Sequence, residues 1–139
     1  NPYSTRPYEH GLEPVAAYLK IAPAQYEDNA FAGSYNVGPD EASCLTTGEL
    51  VTLFCRKWNQ AAGTSITWTN KYDGGPHEAN FLKLDCSKLK KTFGWLPRWH
   101  VETAIEKTVE WFQVYFAKGD VPACMQKQIS EFCGYTPAG

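Results

Sequence analysis

The chain has 139 residues, of which 43% are hydrophobic and 14% aromatic, and its formal net charge is −2 at pH 7. This length suffices for one domain with a core, and the apolar content favours a packed globule over a disordered chain. The near-neutral charge and the interleaving of acidic with basic residues argue against nucleic acid as a partner. Because no apolar run is long enough to cross a bilayer, we also expect no membrane partner.

The first predicted helix runs from 13 to 28, where apolar residues recur at helical spacing. The face that this spacing defines consists of Val15, Tyr18, Leu19 and Ala22. Pro23 lies inside the pattern and has no amide hydrogen to donate to the helix ladder. We therefore expect the helix to kink or break near Ala22.

The following segment predicts a strand and then a second helix. Residues 33–38 form a short stretch bracketed by glycines, which we interpret as a strand. Thr46 and Glu49 have the spacing of a capping box, in which a hydroxyl and a carboxylate satisfy amides at a helix start. The helix that they open is predicted to end near Gly63.

The next part of the chain predicts short strands and one short helix. Apolar residues alternate with threonine at 66–68, and 76–84 is interpreted as a strand that delivers polar groups to a site. Ser87 is the expected N-cap of a helix over 88–93, and Gly94 is its expected C-cap.

The clearest helical pattern covers 101–116, and we expect Gly119 to end this helix. A weaker helix is predicted over 123–132. Residues 134–139 are interpreted as a frayed tail, which leaves 1–133 as one domain. The fold class is therefore predicted to be α+β, with two to four short strands packed with four or five helices.

The five cysteines stand at wide and irregular spacings, without the close pairs that zinc sites use. Free thiols, buried or half-buried in a reducing cytoplasm, are the expected outcome. The sequence gives no sign of a base near any of them. Neither a metal site nor a catalytic cysteine is predicted.

Several motifs together resemble the extended short-chain dehydrogenase/reductases that act on nucleotide sugars. The motifs general to that superfamily are Asp85-Cys86-Ser87-Lys88, Phe93-Gly94-Trp95 with Pro97, and Thr108-Val109-Glu110-Trp111. The narrower motifs are Arg6-Pro7, His10, Leu12-Glu13-Pro14, Asn36-Val37-Gly38-Pro39 and Pro76-His77-Glu78-Ala79. The combination is most similar to the C-terminal, substrate-binding region of the CDP-glucose 4,6-dehydratase family, and the similarity covers nearly the whole chain.

The resemblance implies an enzyme that converts CDP-glucose to CDP-4-keto-6-deoxyglucose with a tightly held NAD. That product would feed dideoxysugar, O-antigen and other surface polysaccharide biosynthesis from the cytoplasm. The chain contains no glycine-rich dinucleotide fingerprint, and no Tyr is followed four residues later by Lys. We therefore expect that the Rossmann domain is absent, that this chain alone binds no cofactor, and that it is inactive without that domain.

The resemblance also implies which residues bind the substrate. Arg6 occupies the place of a family arginine that approaches the pyrophosphate, a role that suits a planar guanidinium. The place of a second family arginine falls at Gly75, so His77, Glu78 and Asn80 are the polar groups expected to take over. The alternatives are an ordinary surface role for Arg6 and a structural role for His77. Because Glu78 would repel a pyrophosphate, we expect it to face a ribose hydroxyl, Arg6 or His77.

Two residues depart from the family pattern. Gly11 stands where a branched apolar residue is expected. If that site is packed, the missing side chain would cost about 1–3 kcal/mol of the stabilisation that its burial provides. Pro23 would cost about 3 kcal/mol unless the helix already bends there. These departures leave the placement of Arg6 open.

Two other functions remain open at this point. One is the substrate domain of a nucleotide-sugar epimerase or decarboxylase, which would prefer UDP- or TDP-sugars. The other is a non-catalytic interaction module that uses an exposed former domain junction, because such a junction leaves an apolar patch uncovered.

Overall fold

The computed structural model describes residues 1–75 and 79–134. Its helices and strands are β1 Thr5–Pro7, α1 Leu12–Glu27, β2 Cys44–Thr46, α2 Thr47–Ala62, α3 Ser87–Phe93, α4 Val101–Phe116 and α5 Val121–Cys133. Single turns of 3-10 helix occupy Asn29–Phe31 and Glu41–Ser43. Five helices with a two-stranded sheet, and no Rossmann fold among these residues, confirm the predicted α+β class.

The sheet is an antiparallel ribbon in which the central residue of β1, Arg6, pairs with Leu45 of β2. β2 runs directly into α2, so the ribbon fixes where α2 begins. The Thr47 amide at that start donates to Ser4 O at 3.0 Å. The residues before β1 therefore lie against the first turn of α2.

The strand predicted over 76–84 is wrong in its described part, where only Phe81 forms a single parallel bridge to Thr5. The pairing cannot extend along β1 because Pro7, the next residue that would face this edge, has no amide hydrogen. Residues 76–78 lie outside the described residues.

The strand predicted over 33–38 is also wrong, since these residues form no backbone ladder with any described segment. Side chains hold the segment instead. The Asn36 amide donates to Asp85 O at 3.1 Å, and the Tyr35 ring packs against Phe93 with centroids 5.3 Å apart. A Cβ on Gly38 would lie 2.9 Å from Leu84 Cδ1, so glycine allows the two segments to approach closely.

Residues 66–68 are not a strand either, and the reason is the Asn59 side chain. Its Oδ1 accepts the Ile66 amide at 2.7 Å, and its Nδ2 donates to Ile66 O at 2.9 Å. Both backbone polar groups of Ile66 are thereby used, so none remains for a neighbouring strand.

The main core lies between α1, α3 and the turn that follows α3. Its buried residues are Ala17, Ile21, Leu89 and Trp95. Tyr35, Val37 and Phe93 pack against this cluster. The core thus joins the two segments that carry the family-like motifs 36–39 and 85–88.

The inward face of α1 differs from the predicted one. Glu13, Ala17 and Ile21 are buried, whereas Val15, Tyr18 and Leu19 are 48%, 58% and 72% exposed. The apolar spacing was identified correctly, but the described residues provide nothing that covers it. A strip of large apolar side chains therefore lies on the outer surface.

α1 continues through Pro23 to Glu27, so the break expected near Ala22 is absent. The missing amide of Pro23 leaves the carbonyl of Leu19 without its usual donor. Because Leu19 is exposed, water can solvate that carbonyl, and the helix tolerates the proline.

Glu13 connects α1 to the turn before α4. Its carboxylate is 1% exposed, and its Oε1 accepts the backbone amides of Arg98 at 2.9 Å and Trp99 at 2.6 Å. Its Oε2 is buried without a hydrogen-bond partner in the described part of the chain. A buried carboxylate is stabilised by such amides, which take the place of its hydration.

α4 is positioned over its first two turns by residues distant in sequence. The buried Ser43 hydroxyl accepts the Val101 amide at 3.1 Å and so caps the helix start. Along α2 and α4, Arg56 pairs with Glu102 at 2.7 Å and Lys57 with Glu106 at 2.6 Å. The long axis of α4 is therefore fixed against both α2 and the ribbon.

Most predicted caps are confirmed. The Thr46–Glu49 capping box is complete, and Gly63 and Gly94 both end their helices in the left-handed conformation. The predicted Ser87 N-cap is wrong, because Ser87 is the first residue of the helix itself. Its amide donates to the Asp85 carboxylate at 2.9 Å. Hydrogen bonds from the Ser87 side chain and from the Ser87 amide hold the pKa of Asp85 below its usual value.

All five cysteines are free thiols, as predicted, with Cys133 exposed. Within the described ranges, the helices are too short or too polar to cross a lipid bilayer.

Replacing Glu13 tests its structural role. Glu13→Ala leaves two part-buried amides without their acceptor, so we expect a loss of about 2 kcal/mol in the free energy of unfolding measured in urea. Glu13→Gln keeps one acceptor oxygen and should lose less. The control Glu27→Ala, on the exposed end of the same helix, should change stability by less than about 0.5 kcal/mol. Equal stability of Glu13→Ala and the control would contradict this role.

The Glu9 carboxyl predicts a pH dependence of stability. Burial and the neighbouring Glu13 carboxylate raise the pKa of Glu9 from 4.5 to about 7. Between pH 4.5 and about 7 the folded chain therefore binds one more proton at Glu9 than the unfolded chain does. The contribution of protonated Glu9 to the free energy of unfolding is full below pH 4.5 and is lost as pH rises through about 7. Glu9→Gln should remove the loss and stabilise the chain at about pH 8 by about 1 kcal/mol, because solvent screens the half-buried carboxyl.

The measurement for Glu9 is urea unfolding at a series of pH values. Glu27→Gln removes the same charge at an exposed position. Above about pH 5, the free energy of unfolding of this variant should depend on pH as it does in the parent chain. If the free energy of unfolding of Glu9→Gln has the same pH dependence as that of the parent chain, the raised pKa of Glu9 is refuted.

Candidate functional site

Arg6 is held at the edge of the ribbon by main-chain carbonyls. Its Nη1 donates to Thr5 O and to Ala79 O, each at 2.8 Å. The second bond joins residues 73 positions apart and ties β1 to the segment that begins at Ala79. Both hydrogens of one terminal nitrogen are used in this way, which fixes the plane of the guanidinium.

The backbone of Asn80 lies beside this anchor. Its backbone carbonyl accepts the Thr5 amide at 2.9 Å, and the Leu82 amide donates to Thr5 O at 3.1 Å. The Asn80 side chain is exposed to solvent. The structure thus brings Arg6 and Asn80 together, whereas His77 and Glu78 lie outside the described residues.

Arg6 and Asn80 offer hydrogen-bonding groups of two kinds. A guanidinium of fixed orientation can form paired hydrogen bonds to the oxygens of a phosphate or a carboxylate. An exposed amide such as that of Asn80 can both donate to and accept from a hydroxyl or a base edge. Anion recognition beside hydroxyl recognition is what a sugar phosphate requires.

A groove of about 390 Å³ lies between the first residues of the chain, the start of α2 and residues 68–73. Its aromatic side chains are Trp68 and Tyr72, and Tyr72 packs edge-to-face against Tyr3 with centroids 6.2 Å apart. Asn70 holds both tyrosines: its Nδ2 donates to Tyr3 Oη at 3.1 Å and its Oδ1 accepts the Tyr72 amide at 2.9 Å. Such rigid aromatic faces can stack on a planar or sugar ring.

Sequence reasoning missed this groove. The signal was present, since an aromatic, an amide and a second aromatic stand at 68, 70 and 72. Only 66–68 was interpreted, as a strand, and Asn70 and Tyr72 were given no role. The contact of Asn70 with Tyr3 joins residues 67 positions apart.

Gly11 does not leave a packing defect. A Cβ at this position would meet no atom within 4 Å, so a branched side chain would find no packing partner in the described structure. The start of α1 is instead capped by His10, whose Nδ1 accepts the Leu12 amide at 3.2 Å. The expected loss of burial therefore does not arise here, and Arg6 is placed by its own contacts.

Comparisons with known proteins test the resemblance that the motifs suggested. No protein-family profile matches the chain. The CDP-glucose 4,6-dehydratase of Salmonella typhimurium is 34% identical over 137 residues, which cover 98% of this chain and 37% of that enzyme. The chain thus spans little more than a third of the relative's length. The resemblance deduced from the motifs is confirmed: the chain is related to part of a sugar-nucleotide dehydratase.

Proposed function

We propose that this chain is the substrate-binding part of an NAD-dependent CDP-glucose 4,6-dehydratase and that it is inactive alone. The observation that carries the proposal is the similarity to that enzyme over 98% of the chain. The complete enzyme would convert CDP-glucose to CDP-4-keto-6-deoxyglucose in the cytoplasm, for dideoxysugars of the O-antigen and other surface polysaccharides. The part of the enzyme outside this chain would hold NAD, which would supply the hydride acceptor and donor.

Arg6 would bind the substrate pyrophosphate. Support comes from its guanidinium, which Thr5 O and Ala79 O orient before any ligand arrives. A group that is already oriented loses less entropy when it binds. Asn80, with His77 and Glu78 close to it in sequence, would serve the hydroxyl groups of the ribose or hexose.

The Rossmann domain of the same enzyme would cover two surfaces that this chain leaves uncovered. One is the outward strip of α1 formed by Val15, Tyr18 and Leu19. The other is the backbone of segment 33–38, which forms no ladder with the described residues. Side chains of Gln25 and Lys88 bond the carbonyls of Gly33 and Ser34, so the groups of 35–37 are the ones that would add to the edge of another sheet. Apolar strips of this kind usually mark an interaction surface.

Isothermal titration tests the substrate assignment. CDP-glucose should bind more tightly than UDP-glucose or TDP-glucose, and NAD should give no heat. Arg6→Ala should weaken CDP-glucose binding by about tenfold or more, and Arg6→Lys by less, because lysine keeps the charge but not the fork. Arg56→Ala is the control, since it removes the same charge from an exposed ion pair on α2.

Each outcome of the titration has a definite meaning. Tighter binding of UDP- or TDP-sugars would favour the epimerase or decarboxylase alternative, and NAD binding would contradict the proposal. If no ligand gives heat, the chain is exchanged for the matching 137 residues of the Salmonella enzyme. Dehydratase activity of that chimera, lost with Arg6→Ala and kept with Arg56→Ala, supports the proposal, whereas a folded but inactive chimera refutes it.

The interaction-module alternative makes a separate prediction. The chain would then self-associate at rising concentration in size-exclusion chromatography, and sugar nucleotides would not affect it. Leu19→Glu, which places a charge in the centre of the α1 strip, should abolish such association. Under the proposed function, the same variant should instead prevent the chimera from assembling an active enzyme while leaving the stability of the isolated chain within about 0.5 kcal/mol.

A further inference from the structure

A second cavity, of about 250 Å³, lies between the start of α1 and the helices α4 and α5. Most of its wall is apolar and comes from Leu12, Trp111, Met125 and Ile129. It shares no residue with Arg6, Asn80 or the groove at 68–73. Whatever it binds is therefore independent of the substrate assignment.

Gln128 brings a buried polar group to this cavity. The side chain is 5% exposed, and its Nε2 donates to Lys107 O at 2.9 Å and to Glu110 Oε2 at 3.3 Å. These bonds engage Nε2 and leave Oε1 as the free end of the amide. Oε1 receives no hydrogen bond from the described residues, so it can accept one from a ligand.

His10 supplies the complementary donor. Its Nδ1 accepts the Leu12 amide, so the proton of the neutral ring resides on Nε2. Burial and the nearby Lys107 lower the pKa of His10, which favours that neutral form. Nε2 has no acceptor within the described part of the chain, and the ring is held edge-to-face by Trp99 at a centroid distance of 4.9 Å.

The cavity carries no net charge to attract an ion. The Lys107 ammonium at its wall is paired with the carboxylates of Glu110 and Glu131. An apolar cavity of about 150 Å³ holds a benzene ring, so 250 Å³ suits a ring compound of roughly ten to twelve non-hydrogen atoms. Such pockets, apolar with a few convergent polar groups, are typical of small-molecule sites.

We propose that this cavity is a binding site for a small neutral aromatic molecule that carries one hydroxyl or amide group. The ring lies against Trp111 and Ile129, and the polar group donates to Gln128 Oε1 and accepts from His10 Nε2.

The test uses 2-naphthol as the probe with the 139-residue chain. Nuclear magnetic resonance should show saturable shifts of the Gln128 side-chain amide and the His10 ring, with a Kd of roughly 1 mM. The anion 2-naphthoate, which has the same ring system, should bind at least about tenfold more weakly because no cation in the cavity is unpaired. Absence of saturable shifts at Gln128 and His10, or equal affinity for the anion, would overturn the proposal.

Ile129→Trp fills the cavity from an exposed position and should weaken 2-naphthol binding by at least about tenfold. Its matched control is Ile66→Trp, which adds the same side chain at a similarly exposed position outside the cavity and should leave the Kd unchanged. Equal Kd values for the two variants would refute the site. Unfolding curves in urea show whether each variant is folded, and Met125→Trp replaces Ile129→Trp if that variant is not.

Discussion

A single buried carboxylate, that of Glu13, sets the arrangement of this fold. Its acceptor oxygen binds the amides of Arg98 and Trp99, which are 85 and 86 residues away. A polar group leaves water only where hydrogen-bond partners replace its hydration, so the position of α1 follows from those two amides. Since they immediately precede α4, the same contact fixes α1 relative to α4 and the helices packed on it.

The outward apolar strip of α1 is a geometric consequence of that contact. Once Glu13 faces inward, the residues one and two turns on, Ala17 and Ile21, must face inward as well. Val15 and Leu19, two and six positions after Glu13, then point away from the core. The strip therefore does not reflect poor packing of this chain. Under the proposed function the strip would be covered by a further domain, and the relative is nearly three times as long as the aligned segment.

The features that were predictable from the sequence depend on neighbours within one helical turn. The capping box at Thr46 and the left-handed glycines at Gly63 and Gly94 are of this kind, and the helix bounds agree closely. The failures concern partners distant in sequence. A strand at 33–38 needs a neighbouring strand that the described chain does not provide, and the inward face of α1 depends on amides more than eighty residues later. Arg6 was predicted to be a site residue from motif resemblance, and its anchoring by Ala79 O had no local signal.

That anchoring ties the orientation of Arg6 to one segment. Ala79 O orients the Arg6 guanidinium, and the next residue, Asn80, is joined to β1 by the Thr5 amide. The Leu82 amide adds a third hydrogen bond, to Thr5 O, so residues 79–82 are held against β1 without any ligand. Under the proposed function, a ligand that contacts the Arg6 and Asn80 side chains would therefore spend little of its binding free energy on ordering this segment.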